Sequence, residues 1–151
     1  MIEDFMKLAL SEAKKSFSKD EVPIGAVIEK DGVVISKAYN TRNKSQNAIN
    51  HAEVLAISKA CKKLKSWRLD DCNIYVTLEP CPMCAGAILN ARIKNLYFGA
   101  FDKTSKTNLL NQIMQDDRLN HKTKTFGGIM EDECGKILTE FFKEKRKGNI
   151  H

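Results

Sequence analysis

The sequence predicts a three-layer α/β fold: helices on both faces of one mixed five-stranded sheet, in a single domain over residues 1–151. Three observations carry that expectation. A chain of 151 residues has the length of one ordinary domain and can bury a substantial core. Hydrophobic residues make up 42% and charged residues 29%, the balance of a folded globular chain rather than a disordered one. Helical and strand patterns alternate in the order α-β-β-α-β-α-β-α-β-α, which layers helices on both sides of a sheet.

Each element has its own signal. Phe5, Leu8, Ala9, Ala13 and Phe17 follow helical spacing. Pro23 to Ile28 reads as a buried strand, and Asp31-Gly32 as a tight hairpin turn into Val33-Val34-Ile35. Polar residues from Asn40 to Asn50 form a loop. His51 opens a second helix that ends near Leu64, with Val54, Leu55, Ile57, Ser58 and Cys61 expected on its inner face. Asn73 to Leu78 is a strand of β-branched and aromatic type. Glu79-Pro80 breaks it, and Pro82 starts a helix through Ala91, leaving Cys81 at the N-cap. Leu96 to Gly99 is the fourth strand, Leu109 to Met114 a short helix, Lys124 to Gly128 the fifth strand, and Asp132 to Arg146 the last helix.

Composition narrows the function classes. The acidic start Met1-Ile2-Glu3-Asp4 lacks the basic region and continuous apolar run of a secretion signal. No apolar run approaches the ~18 residues that span a bilayer, and the expected location is the cytoplasm. Five cysteines, an odd number without a secretion signal, argue against a disulfide framework. The net charge of +6 permits a polyanionic partner without establishing one. Lys143, Lys145, Arg146 and Lys147 crowd the end of the last helix, where cations also complement the helix dipole.

The chemistry lies in two short motifs. His51-Ala52-Glu53 alone is weak, and residues two apart on a helix point about 200° away from each other. They converge only on a site beyond the helix N-terminus, where free N–H groups and the positive end of the dipole face it. Cys81-Pro82-Met83-Cys84 places two sulfurs on one side of a helix's first turn, where thiolates are favoured. A redox reading of this Cys-x-x-Cys competes; the upstream His-x-Glu and the Glu79-Pro80 strand end favour metal. One imidazole and two thiolates leave the fourth position of a zinc ion open, the catalytic arrangement. His-Ala-Glu followed 30 residues on by Pro-Cys-x-x-Cys is specific, and it resembles the signature of zinc-dependent deaminases. Zinc brings the pKa of its water to about 7, and a carboxylate that is not a ligand must move the protons. Glu53 is the candidate for that task; Glu79, between a strand and a proline, is read as structural.

Glu21 to Val27, His51 to Glu53, Thr77 to Ile88, Asn120-His121 and Asp132-Glu133-Cys134 with Phe141-Phe142 and Arg146 resemble the bacterial tRNA adenosine deaminases. The resemblance covers nearly the whole chain and implies the cytidine-deaminase-like fold. The central motifs are shared with guanine and cytosine deaminases; Asn120-His121 and the last helix point to the tRNA enzymes. It implies hydrolysis of adenosine to inosine at wobble position 34 of an arginine tRNA anticodon, by a homodimer with one zinc per subunit. It further implies that Asn40 and the Ala52 backbone contact the flipped adenine, with Asn120 and His121 at the substrate. An Asn can pair with adenine N7 and its amino group side by side; Asn40 as a turn residue is the competing reading. His121 reads equally as a backbone or base contact or as a polar cap. Lys143 to Lys147 and Phe141-Phe142 are candidate RNA contacts, with core packing favoured for the two phenylalanines. After Gly99-Ala100-Phe101-Asp102 the family has a glycine-containing stretch, whereas this chain reads Lys103 to Asn108 and is slightly shorter. Two other functions remain open: a free-base guanine or cytosine deaminase, and a non-enzymatic RNA-binding module whose zinc is closed by Cys61, Cys72, Cys134 or His121.

Overall fold

A computed structural model describes residues 1–104 and 108–149, so part of the divergent Lys103 to Asn108 stretch lies outside the described residues. Among the described residues, six helices, α1 (Ile2–Ser18), α2 (Arg42–Ser45), α3 (Ala52–Leu64), α4 (Pro82–Asn90), α5 (Leu109–Met114) and α6 (Glu131–Glu144), accompany five strands. The strands are β1 (Gly25–Lys30), β2 (Val33–Tyr39), β3 (Asn73–Leu78), β4 (Asn95–Ala100) and β5 (Lys124–Phe126). A π-helical turn, Lys145–Asn149, extends α6. No helix among the described residues is long and apolar enough to cross a membrane.

The sheet order is β2-β1-β3-β4-β5. β1 is antiparallel to both neighbours, while β3, β4 and β5 run parallel. The expected hairpin is present: Asp31 and Gly32 have φ of 53° and 83°, the two positive values that a two-residue turn between twisted strands requires. Alternation along the strands divides the core. Ala26, Ile28, Ile74, Val76, Leu96 and Phe98 pack with α3, α4 and α5, whereas Val27 and Tyr75 pack with α1. Cys134 of α6 joins that second cluster beside Ala100. The three layers predicted from the element order are therefore observed.

One helical face differs from expectation. The side of α3 turned to the sheet is Ala52, Glu53, Ala56 and Ala60, while Ser58 is exposed and Val54, Leu55, Ile57 and Cys61 are half-buried. Small side chains bring the helix axis close to β1 and β2, and the larger apolar residues flank the contact line. The approach is tight enough for the Ser36 hydroxyl to donate to the Ala56 carbonyl at 2.8 Å. Polar residues 40 to 50 also contain one unforeseen helical turn, α2.

Gly25 fixes α1 against the sheet. A Cβ there would collide with the Ala9 carbonyl and lie 2.7 Å from Ala13 N and 2.9 Å from Glu12 Cβ, all on α1. Backbone cannot yield as a flexible side chain does. Gly25→Ala is expected to cost about 1–3 kcal/mol, the usual range for overpacking, in a denaturant titration.

Candidate active site

Two helix tips converge where β3 ends. His51 is the N-cap of α3, with φ −74° and ψ 154°, and Cys81 the N-cap of α4, with φ −73° and ψ 169°. Both are extended residues outside their helices, so His51 escapes the rotation that would aim it away from Glu53 in a continuous helix. Pro82 at the first position of α4 gives up an N–H that had no intrahelical partner anyway. Cys84 enters from one turn further on and is fully buried.

Cys81 Sγ lies 3.7 Å and Cys84 Sγ 3.6 Å from His51 Nδ1. A tetrahedral zinc with Zn–S of about 2.3 Å and Zn–N of about 2.0 Å sets S···N separations near ~3.6 Å. The three donor atoms lie within 4.8 Å of one another, and the cluster holds no fourth residue among the described ones. The donor set and its spacing fit zinc with one coordination position left open. None of the residues weighed as a closing ligand, Cys61, Cys72, Cys134 and His121, joins the cluster. The Cys61 thiol faces the Trp67 carbonyl at 3.7 Å, the Cys134 thiol faces that of Ile129 at 3.8 Å, and Cys72 is buried just before β3 starts.

The two sulfurs and Glu53 interact electrostatically. Cys81 is pushed down to about 5, first by the hydrogen bond from the Cys84 thiol, then by the Cys84 and Met83 backbone N–H groups and by His51. Cys84 is pushed up, as donor to Cys81 and by burial beside Glu53. A bound cation takes both as thiolates, since ligation requires the deprotonated form. Glu53, only 4% exposed at the second position of α3, is raised to about 7, chiefly by burial and further by the Cys81 charge. A carboxyl group poised there exchanges protons readily near neutral pH.

Asn40, also buried, stands at the end of β2 and is held on three sides. Its Nδ2 donates to Val22 O at 3.2 Å, its Oδ1 accepts from the Arg42 N–H at 3.2 Å, and its carbonyl accepts from Ser16 Oγ at 2.8 Å. The Arg42 bond is the turn-forming contact of the competing reading. One amide N–H and one Oδ1 lone pair still remain for a ligand. Ala52 opens α3, and its N–H belongs to the first-turn donors that have no intrahelical partner.

Asn120 and His121 are not brought to this cluster. They precede β5, whose first residue Lys124 pairs with Asn95 at the start of β4, whereas Cys81 follows the end of parallel β3. That is the opposite end of the sheet, about 17 Å away at 3.3 Å per strand residue. His121 Nε2 donates to the Ile93 carbonyl at 2.8 Å, beside the Thr123 hydroxyl on the same oxygen at 2.7 Å. This bond ties the entry of β5 to that of β4. Phe141 is buried and Phe142 is 43% exposed, so only the first packs in the core. Glu79 accepts from the Asp102 N–H at 2.9 Å, a structural contact.

Glu21 is a residue whose role the sequence did not disclose. Its carboxylate is buried and accepts from the Asn43 N–H at 3.1 Å and the Lys44 N–H at 2.6 Å, which anchors the loop between Asn40 and His51. Glu21→Gln turns one acceptor into a donor facing an N–H. The expected result is a loss of about 1–3 kcal/mol of stability and a KM for substrate raised about tenfold as the loop loosens. Thermal melting and steady-state kinetics read the two effects.

A family model described as MafB19-like deaminase matches residues 2–146. A tRNA-specific adenosine deaminase of Bacillus subtilis is 49% identical over 95% of this chain and 89% of its own length. A solved tRNA:A34 deaminase, studied for A-to-I editing at the wobble position of transfer RNA, is 40% identical with a TM-score of 0.83, covering 89% of this chain and 99% of that one. A Bacillus subtilis guanine deaminase is 44% identical, but over 66% of this chain and 64% of that one, with a TM-score of 0.63. With matches of this extent and identity on one deaminase group, the chain belongs to the tRNA-specific adenosine deaminase family.

Proposed function

We propose that this protein hydrolyses adenosine to inosine at the wobble position of a tRNA anticodon, that of an arginine tRNA in particular. The observation that carries the chemistry is the cluster of His51, Cys81 and Cys84 with the buried Glu53 beside it. Zinc held by these three residues would supply the Lewis acidity that makes water nucleophilic at neutral pH. Glu53 takes up the water proton, delivers a proton to N1 of the purine, and assists the exocyclic amine to leave as ammonia. Asn40 offers its remaining N–H and lone pair to the base, and the Ala52 N–H is the second donor in this reading. A base enters such a site only when flipped out of its stack, which an unpaired anticodon loop makes inexpensive.

The homodimer is part of this proposal. A shallow surface hollow of about 500 Å³ between α3 and α4, where exposed Trp67 stands beside half-buried Ile57 and Ala87, supports it. Exposed Met83 lies one turn before Ala87 on the same side of α4. Sedimentation at micromolar protein tests it. Work on tRNA also implies the cytoplasm as location.

Incubation with an arginine-tRNA anticodon stem-loop, and separately with free guanine and cytosine, tests the substrate. Inosine in the RNA and no change in either free base is the expected result. Xanthine or uracil from the free bases, with the RNA unchanged, would replace this reading by the free-base one.

A further inference from the structure

The positive charge of this chain is not evenly spread. Between Val33 and Leu69 stand eight lysines and arginines and a single acid, Glu53, so this stretch alone more than accounts for the net charge of +6. In the fold it is one continuous region: edge strand β2, the loop with α2, then α3 and the turn after it. The lone acid is buried in the active site. Arg42, Lys44, Lys59, Lys62, Lys63 and Lys65 are all exposed, and none of them forms an ion pair among the described residues. The C-terminal cluster is different. Lys143 to Lys147 share α6 and its extension with Glu131, Asp132, Glu133, Glu140 and Glu144. Lys145 there approaches Asp20 at 3.8 Å and covers the Phe141 ring.

Lys59, Lys62 and Lys63 stand at i, i+3 and i+4, so they form one stripe along α3. Like charges at that spacing repel one another and weaken the helix. The dipole at the helix end offsets this for Lys62 and Lys63, but Lys59 lies a turn earlier with no acid three or four residues away. An ordinary solvated helix face mixes signs; this one does not. Its position matters as much as its charge. α3 begins at the site with His51 and Glu53, and the stripe runs from about 9 Å to about 15 Å further along the axis, at 1.5 Å per residue. A strand that delivers one nucleotide to Glu53 carries its neighbouring phosphates across that distance.

We propose that the outer face of α3, with Arg42 and Lys44 of the preceding loop, is a track for the phosphate backbone of the RNA stem flanking the deaminated nucleotide. The proposal rests on the RNA substrate proposed above. Charge complementarity selects the occupant: the surface presents closely spaced point charges without acids between them, as a polyphosphate backbone demands.

Three variants test it: Lys59→Gln/Lys62→Gln/Lys63→Gln; Lys59→Arg/Lys62→Arg/Lys63→Arg; and, as control, Lys7→Gln/Lys14→Gln/Lys136→Gln. The control removes the same charge from the groove between α1 and α6, on the other face of the sheet. Binding of the anticodon stem-loop is measured by fluorescence anisotropy across a salt series, and kcat at saturating RNA. The α3 glutamine variant is expected to bind at least about tenfold more weakly near 0.1 M salt. Its log K against log salt slope shrinks by about 2, at roughly 0.7–0.9 for each phosphate that the protein ceases to neutralise. kcat and Tm are retained, and the arginine variant and the control keep the wild-type slope. Wild-type binding and slope in the α3 glutamine variant overturn the proposal and leave the surface to another partner, such as an acidic protein. Equal weakening by the control overturns it as well, reducing the effect to net charge. The slopes need no turnover: stem-loop bound but not deaminated by the wild type refutes the substrate reading and leaves the track to be judged by its slopes.

Discussion

Glu53→Gln is expected to keep its zinc and its fold while turnover falls by about 10²- to 10⁴-fold, the usual contribution of one positioned proton-transfer group. The amide has the shape of the carboxyl group, so the buried space beside Cys84 stays filled. It removes only the ability to accept a proton and return it. Glu53 holds no metal: it lies outside the group formed by His51, Cys81 and Cys84. Its raised pKa, about 7, marks it as the exchangeable group of the site, and burial is the main cause. Metal content by emission spectroscopy, Tm, and single-turnover deamination of the stem-loop separate the effects. Loss of zinc together with turnover would instead make Glu53 part of the metal's support.

Cys84→Ser is expected to lose both metal and turnover. Cys84 is fully buried at the first turn of α4, and its sulfur is one of two that the cation requires. A serine oxygen is a poorer zinc ligand and leaves a buried polar group in place of a bonded thiolate. When free zinc exceeds Kd by about 1,000-fold, binding stabilises the fold by about 4 kcal/mol. Stripping the wild type with a chelator removes that, which is worth about 8–16 °C in Tm for a domain of this size. Zinc added back restores Tm and turnover in the stripped wild type and neither in Cys84→Ser. The two helix tips are thus expected to be held together by the ion as well as by the sheet.

Much of this arrangement was legible from the chain alone, for reasons that differ by element. β3, Asn73–Leu78, was placed to the residue because β-branched and aromatic residues fill it and Glu79-Pro80 ends it. Pro82 located the start of α4 and so put Cys81 at the cap, while the two-residue spacing of His51 and Glu53 required an end-on site. The inner face of α3 was not legible, since apolar periodicity weights large side chains while the closest helix-to-sheet contact here is made by alanines. Glu21 was hidden for another reason. Its partners are backbone N–H groups of Asn43 and Lys44, 22 and 23 residues on, and no local pattern encodes such a pairing. His121 could not be placed from the sequence, because a motif beside a strand belongs to one end of the sheet or the other according to strand direction. Parallel pairing of β5 with β4 puts it far from the cysteines.

X-ray absorption at the zinc edge of the wild-type protein tests the central claim most directly. Two sulfurs at about 2.3 Å, one imidazole nitrogen at about 2.0 Å and one further light atom that substrate analogues perturb are expected. A third or fourth sulfur in that shell, or no zinc retained after purification in its presence, would contradict the account.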